Sequence, residues 1–381
     1  MRIVLLTTDN REPHKDYSNP QPHFGTAPAA LLQGLAMLPE LEVHVVSCIR
    51  RTVESPAKLG RNIFFHSLVV PKIGWMRTLF QGCIRAARTK IHEIHPDLVH
   101  GQGTEADCSL SAILSGYPNV LTLHGNMRAV ARISRAKPLS YNWLAARLEG
   151  HVLPRTGGVV CITRYTQAAV AGLARKTWVV PNAVDASFFN VENAPSSGRR
   201  PVVLCVGTVC LWKNQNAFIQ ALDPVASRLD FQLVFLGGLP DGPYSVEFSN
   251  LLKTRPWCEH HGFADRTGLK DWLKTATALA LPSLEDNCPM VILEAMAAGV
   301  PVMASSIGGV PDLIEQNRTG LLCDPHEPES FAACMEKLLS SNELCARLAR
   351  KSKSEAMRRF HPLMIAKKHL AVYHEALGNR V

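Results

Sequence analysis

Two carboxylates, Asp286 and Glu294, stand on either side of Pro289 in the stretch SLEDNCPMVILEAMAAGVPV. Proline fits the first turn of a helix, where its missing N–H would have no partner anyway. Gly299 suits the position just past a helix end. The spacing therefore predicts a loop over 282–289 and a helix over 289–298, with Glu294 about one turn inside it. A helix start offers unpaired backbone N–H groups and a partial positive charge, which together attract anions. A carboxylate one turn in can accept from both hydroxyls of a ribose, and one in the preceding loop can accept from the hydroxyls of a sugar. The pair suits a ligand built from sugar, phosphate and nucleoside. A plainer assignment is also open, with Asp286 as a helix cap and Glu294 facing solvent. Spacing and charge do not decide between them.

The elements that must hold these residues follow from hydrophobic patterning. Short, continuous apolar runs occur at 3–6, 43–46, 98–100, 120–124, 159–162 and 178–180, and again at 202–206, 232–236, 278–281 and 302–304. Runs of this kind, rather than alternating ones, mark strands covered on both faces. Helical periodicity lies between them, as at 28–38, 216–222, 289–298 and 328–339. Repeated strand–helix–strand units imply a parallel, doubly covered sheet. The series breaks at 181–200, PNAVDASFFNVENAPSSGRR, which has linker composition. We therefore expect an α/β chain of two Rossmann-like domains, 1–185 and 186–360, with a separate C-terminal helix over 361–381 that crosses back to the first domain. In such folds sites lie at the carboxyl ends of strands, and with two halves the natural place is a central cleft.

Composition narrows the class. A chain of 381 residues is too long for one ordinary core. It contains no apolar run long enough to span a bilayer. The first strand, not a secretory signal, accounts for the apolar N-terminus. The 11 cysteines are scattered, with no C-x-x-C pair, which fits a reducing cytoplasm and neither zinc nor a disulfide frame. The net charge of +9 sits wholly in residues 1–185, where 21 Lys and Arg face 12 Asp and Glu. That asymmetry points the first half towards an anionic partner. Two basic amphipathic stretches, 75–93 and 127–137, could rest on the inner face of a membrane or pack as ordinary helices with solvated arginines. Basic residues are not interleaved with aromatics and no recognised module occurs, so nucleic acid is not expected as a partner.

The second half resembles the retaining, GT-B-fold glycosyltransferases of family 4. Their E-x7-E pattern and following A-M-A-x-G-x-P-V match Asp286 to Val302, with Asp in place of the first Glu. GGVPDLI, TGLLCDP, the linker-like VVPNAVD, VLCVGTVCLWKN, FLGGLPDG and HHGFAD follow the family series in order. The resemblance implies a donor site formed by Gly207, Thr208, Lys213, Phe263, Asp286, Asn287, Cys288, Pro289, Met290, Val291 and Glu294. In it Lys213 meets the donor diphosphate, Asp286 the sugar and Glu294 the ribose. The family usually has an arginine where this chain has Thr208. A threonine cannot supply its bidentate fork, and an unreplaced loss would cost about 2–4 kcal/mol of phosphate binding.

In the first half, His124 ends a strand in VLTLHGNMR, and the same resemblance aims it at the donor sugar. Without the resemblance, a histidine at a strand end is an ordinary structural residue. His100, at the end of the preceding strand, is a weaker candidate for the acceptor pocket. Gly25 and Thr26 stand where the family has a glycine-rich phosphate loop, and a single glycine is little to build one from.

The resemblance implies transfer of a sugar from a nucleotide-sugar, such as a UDP- or GDP-sugar, to a hydroxyl of a saccharide or lipid-linked acceptor, with retention at the anomeric carbon. It implies no metal and no bound cofactor, and a cytoplasmic role in polysaccharide or glycolipid synthesis. Other classes stay open: a non-catalytic nucleotide-sugar-binding scaffold, or a phosphorylase or epimerase of the same fold. A nicotinamide dehydrogenase is disfavoured, since no G-x-G-x-x-G follows the first strand.

Overall fold

The computed structural model describes residues 1–194 and 200–378. The chain forms two compact units, Met1–Asp185 with His361–Val381, and Ala186–Phe360. Of the expected linker 181–200, residues 195–199 lie outside the described residues, and Ala186–Asn190 forms a turn of 3₁₀ helix.

The first unit is built on eight strands: β1 Arg2–Leu6, β2 Glu42–Ile49, β3 Lys58–Gly60, β4 Ile63–Val69, β5 Leu98–Gln102, β6 Asn119–Leu123, β7 Val159–Cys161 and β8 Thr177–Val179. They run in the order β3-β4-β2-β1-β5-β6-β7-β8, parallel except for the antiparallel edge pair β3–β4. Alternate residues of β1 feed two cores. Ile3 and Leu5 pack on one face, Val4 and Leu6 on the other. The first face is closed by the helix Thr26–Ala36 and by the C-terminal helix Pro362–Ala376, which buries Ile365, Ala366, Val372 and Tyr373 there. Gly34 permits that crossing, because a Cβ on it would lie 2.1 Å from the Pro362 carbonyl oxygen.

The second unit holds β9 Val202–Val206, β10 Gln232–Leu236, β11 Cys258–His260, β12 Ala278–Leu281, β13 Val302–Ser305 and β14 Leu321–Cys323. Every pair in it is parallel and the order is β11-β10-β9-β12-β13-β14. The chain steps outward from β9 to β10 on one side and resumes at β12 on the other. The loops after β9 and β12 therefore sit side by side at a topological switch point, the usual ligand position of a doubly wound sheet.

Candidate functional site

In the second unit the switch point brings Lys213 and Asp286 together. Lys213 ends the short 3₁₀ helix Leu211–Lys213 after β9, and its Nζ donates to Asp286 Oδ2 at 2.5 Å. Ser283 Oγ donates to the same oxygen at 3.2 Å. Backbone contacts fix the loop: Leu284 N donates to Trp212 O, and Gly309 N to Asp286 O. Gly308, at φ +53°, passes so close that a Cβ would lie 2.0 Å from the Asp286 carbonyl oxygen. The GGVPD turn thus clamps the acid-bearing loop from outside. Gly237 and Gly207 approach in the same manner, with a Cβ on Gly237 falling 2.1 Å from Gly207 O, and Gly207 takes φ +150°.

The helix at this loop runs Met290–Ala298, with Pro289 as its N-cap residue and no side chain capping it. Asp286 is not that cap; its carboxylate is turned to Lys213 and Ser283. Nor does Glu294 face solvent, being only 6% exposed in the helix's second turn. Both plainer assignments fail on burial and partners. Cys288 and Pro289 are buried, while Asn287, Met290 and Val291 are half-buried on the same approach. Thr208 is exposed, and its carbonyl accepts from Gln215 Nε2. Phe263, beyond β11, is 82% exposed. Sequence reasoning passed over Arg359. Its guanidinium donates to Asp312 O at 2.6 Å and lies within electrostatic reach of Cys288, so a second cation stands near the loop.

In the first unit His124 follows β6, and its Nε2 donates to Gln102 Oε1 at 2.8 Å. Gln102 Nε2 donates to His100 Nε2 at 3.0 Å, where Thr122 Oγ1 also donates. With that nitrogen accepting, His100 carries its proton on Nδ1 and donates to Tyr373 Oη at 2.8 Å. A relay thus runs from the C-terminal helix to His124. Burial drives the His100 imidazole well below the usual histidine range, keeping it neutral. Burial also lowers His124, opposed by the Glu105 charge and the Asn182 side chain.

The expectation that His100 lines an acceptor pocket is corrected here: it is fully buried, 0% exposed, and positions Gln102 instead. Gly25 is the N-cap residue of the Thr26–Ala36 helix, which starts without a side-chain cap. Glu149 is 1% exposed and accepts from the backbone N–H of Met127 and Arg128 and from Thr104 Oγ1. It ties down the loop after His124, and burial raises its carboxyl above the ordinary value. A glutamate in an amphipathic helix reads as a surface residue in sequence, which hid this role.

Two parallel-sheet units of this kind define the GT-B class of α/β fold. Residues 188–355 match the family model described as Glycosyl transferases group 1, and residues 29–188 match Glycosyltransferase Family 4. The chain belongs to these glycosyltransferases. A D-inositol 3-phosphate glycosyltransferase of Xylanimonas cellulosilytica is 32% identical over 47% of this chain and 43% of its own length. A GDP-mannose-dependent alpha-(1-6)-phosphatidylinositol monomannoside mannosyltransferase of Mycobacterium tuberculosis is 26% identical over 72% of this chain and 80% of its own. The chain spans less than half the length of the inositol-phosphate relative. Among solved structures, sucrose-phosphate synthase from Thermosynechococcus elongatus has the same fold at TM-score 0.75, covering 99% of each chain at 18% identity. HepE of Anabaena, solved with UDP, does so at 0.71, covering 98% of this chain and 100% of its own, also at 18% identity.

Proposed function

We propose that the protein transfers a sugar from a nucleotide-sugar to an acceptor hydroxyl, with retention at the anomeric carbon, in glycolipid or polysaccharide synthesis at the cytoplasmic side of a membrane. The observation that carries this reading is the Lys213–Asp286 pair at the start of the helix that buries Glu294. A lysine has three N–H donors, so Lys213 can keep Asp286 and still meet a phosphate. As the glycosidic bond breaks, charge builds on the leaving diphosphate, and Lys213 with the amides at 287–290 would stabilise it. Glu294 would take the ribose and Asp286 the sugar. The second unit carries the donor, and the first carries the acceptor and His124.

The relatives support a nucleotide-sugar donor: one is named for GDP-mannose and one fold neighbour was solved with UDP. Among the described residues no helix is long and apolar enough to cross a membrane, so contact with a bilayer would be peripheral.

The test is incubation with UDP-, GDP-, ADP- and CMP-sugars and a hydroxyl acceptor, with products followed by NMR. Release of the nucleoside diphosphate (CMP from a CMP-sugar) with a glycoside of unchanged anomeric configuration is expected. In a parallel incubation of a glycoside with inorganic phosphate, sugar 1-phosphate would mean a phosphorylase; in the first incubation an isomerised nucleotide-sugar would mean an epimerase, and no turnover in either a binding scaffold.

A further inference from the structure

The first unit contains a concavity of about 430 Å³, within the range of sites that enclose a small ligand, roughly 300–1,000 Å³. One wall is Phe80 and Ile84, from the helix Gln81–Ile94 and the residue before it. The other is Leu144 and Leu148 of the helix Tyr141–Val152, with Leu110 behind them. Its lining residues with polar groups are Gln81, Glu105, Tyr141, Trp143, Arg147 and His151. Glu105 ties this concavity to the site already described, since its charge acts on His124.

The rim is apolar and strained. Leu79, which lines the cavity, is 62% exposed, and Leu139, two residues before the lining residue Tyr141, is 77% exposed. Leu79, Phe80 and Leu139 all take left-handed backbone, at φ 50°, 62° and 64°. Bulky residues adopt that conformation at a cost, and such strain gathers at functional sites.

Charge singles out the occupant. No acid occurs between Glu54 and Glu93, a stretch with seven Lys and Arg that supplies the first wall. None occurs between Asp107 and Glu149, a stretch with five that supplies the second. An apolar cavity lined by Arg147, on elements drawn from two acid-free stretches rich in Lys and Arg, is complementary to an anionic bilayer surface and the chains beneath it.

We propose that this concavity seats the hydrocarbon chain of a lipid-linked acceptor presented by an anionic membrane, the cations of the two stretches meeting its headgroups. The proposal rests on the transferase reading for the word acceptor, and narrows that acceptor to an amphiphile.

Trp143 lines the cavity, with the Arg147 guanidinium 5.0 Å from its ring centre, and provides a direct probe. The full-length protein is mixed with phosphatidylglycerol–phosphatidylcholine vesicles whose acyl chains are brominated, and tryptophan fluorescence is read. Quenching that disappears in Trp143→Phe and in the cavity-filling Leu144→Trp, measured on Trp143-dependent emission, is expected. Leu79→Asp, a change at an exposed position, should weaken vesicle binding at least tenfold, and added salt should weaken binding of the wild type. A second readout is transfer to n-alkyl glycosides. There kcat/KM should rise by about fourfold per added methylene until the cavity is full, and stay flat in Leu144→Trp.

Vesicle binding without quenching of Trp143 would reduce the surface to simple adsorption and overturn the proposal. So would absence of vesicle binding combined with self-association, which would make the apolar rim a contact for a second copy. Donor turnover on a soluble acceptor with no chain-length dependence would overturn it while leaving the transferase reading intact. Quenching without any nucleoside diphosphate release would leave the lipid site standing and sink the transferase reading.

Discussion

Lys213 and Asp286 lie 73 residues apart in the chain, yet Lys213 Nζ sits 2.5 Å from Asp286 Oδ2. Strand order causes this. β9 and β12 are neighbours, and each residue lies in the loop that follows its strand. The pair is partly exposed, 26% and 15% for the two side chains, so it contributes little to folding. Asp286→Ala should lower the unfolding free energy by about 1 kcal/mol or less. If Asp286 has its proposed role of orienting the reacting sugar, the change should also cut donor turnover by about 10²-fold, since it removes that group together with the partner of Lys213. Urea denaturation and initial rates on the same preparation separate the two effects.

The GGVPD turn makes a stability prediction. Gly308→Ala adds a Cβ where the Asp286 carbonyl oxygen stands and forces alanine to φ +53°. We expect a loss of about 2–4 kcal/mol and lower donor turnover, because the clamp and the acid-bearing loop move together. Alanine at Gly150, where a Cβ would meet nothing within 4 Å, should leave both nearly unchanged.

The relay in the first unit predicts a split between kcat and KM. Gln102→Leu removes the acceptor of His124 Nε2 and leaves the buried His100 without one of its donors. The expected result is a fall in kcat of roughly tenfold, as for a modest misplacement of a positioned group, with donor KM unchanged. Tyr373→Phe acts from further away. It should destabilise by about 1–3 kcal/mol through an unpaired buried N–H and affect kcat less. Steady-state kinetics on the two variants test this order.

Buried histidines set a pH dependence of stability. Burial depresses His100, and depresses His369 to about 3, so both stay neutral in the fold. The unfolded chain takes up these protons near pH 6.5, the folded chain only far below. Stability is therefore complete above about pH 6.5 and falls as pH drops, by roughly 1 kcal/mol per pH unit for each histidine. For His369 the loss continues down to about pH 3. Asp107 and Glu149, raised by burial, act with the opposite sign from about pH 4 upward. Denaturation midpoints at pH 7 and 5.5, for the wild type and His369→Asn, should show a shallower slope in the variant.

Much of the fold was legible because parallel strands buried on both faces leave continuous apolar runs, as at Ile3–Leu6 in the first half and Val202–Val206 in the second. The missed strands have other causes. β4 carries His66 and Ser67 within its apolar sequence; β3 and β11 are short and polar, with Lys58 in one and Glu259 and His260 in the other; and β14 is a bare Leu-Leu-Cys run between Gly320 and Asp324, with no apolar neighbour to extend it. The loop and helix around Asp286 and Glu294 could be read locally from Pro289 and Gly299. The Lys213–Asp286 contact could not, since it depends on strand order. His100 could be placed at a strand end, but its fate turns on Tyr373, 273 residues away, which no local pattern reveals. Arg359 near the Asp286 loop was hidden for the same reason.

The central claim is that the loops after β9 and β12, with the helix Met290–Ala298, bind a nucleotide-sugar and drive departure of its diphosphate. Nucleoside diphosphate release by Lys213→Ala and Glu294→Ala, on protein whose circular dichroism matches the wild type, tests it most directly. The expected result is a fall of about 10²–10³-fold for Lys213→Ala and a rise in donor KM for Glu294→Ala. Wild-type release rates and KM in both variants would contradict it.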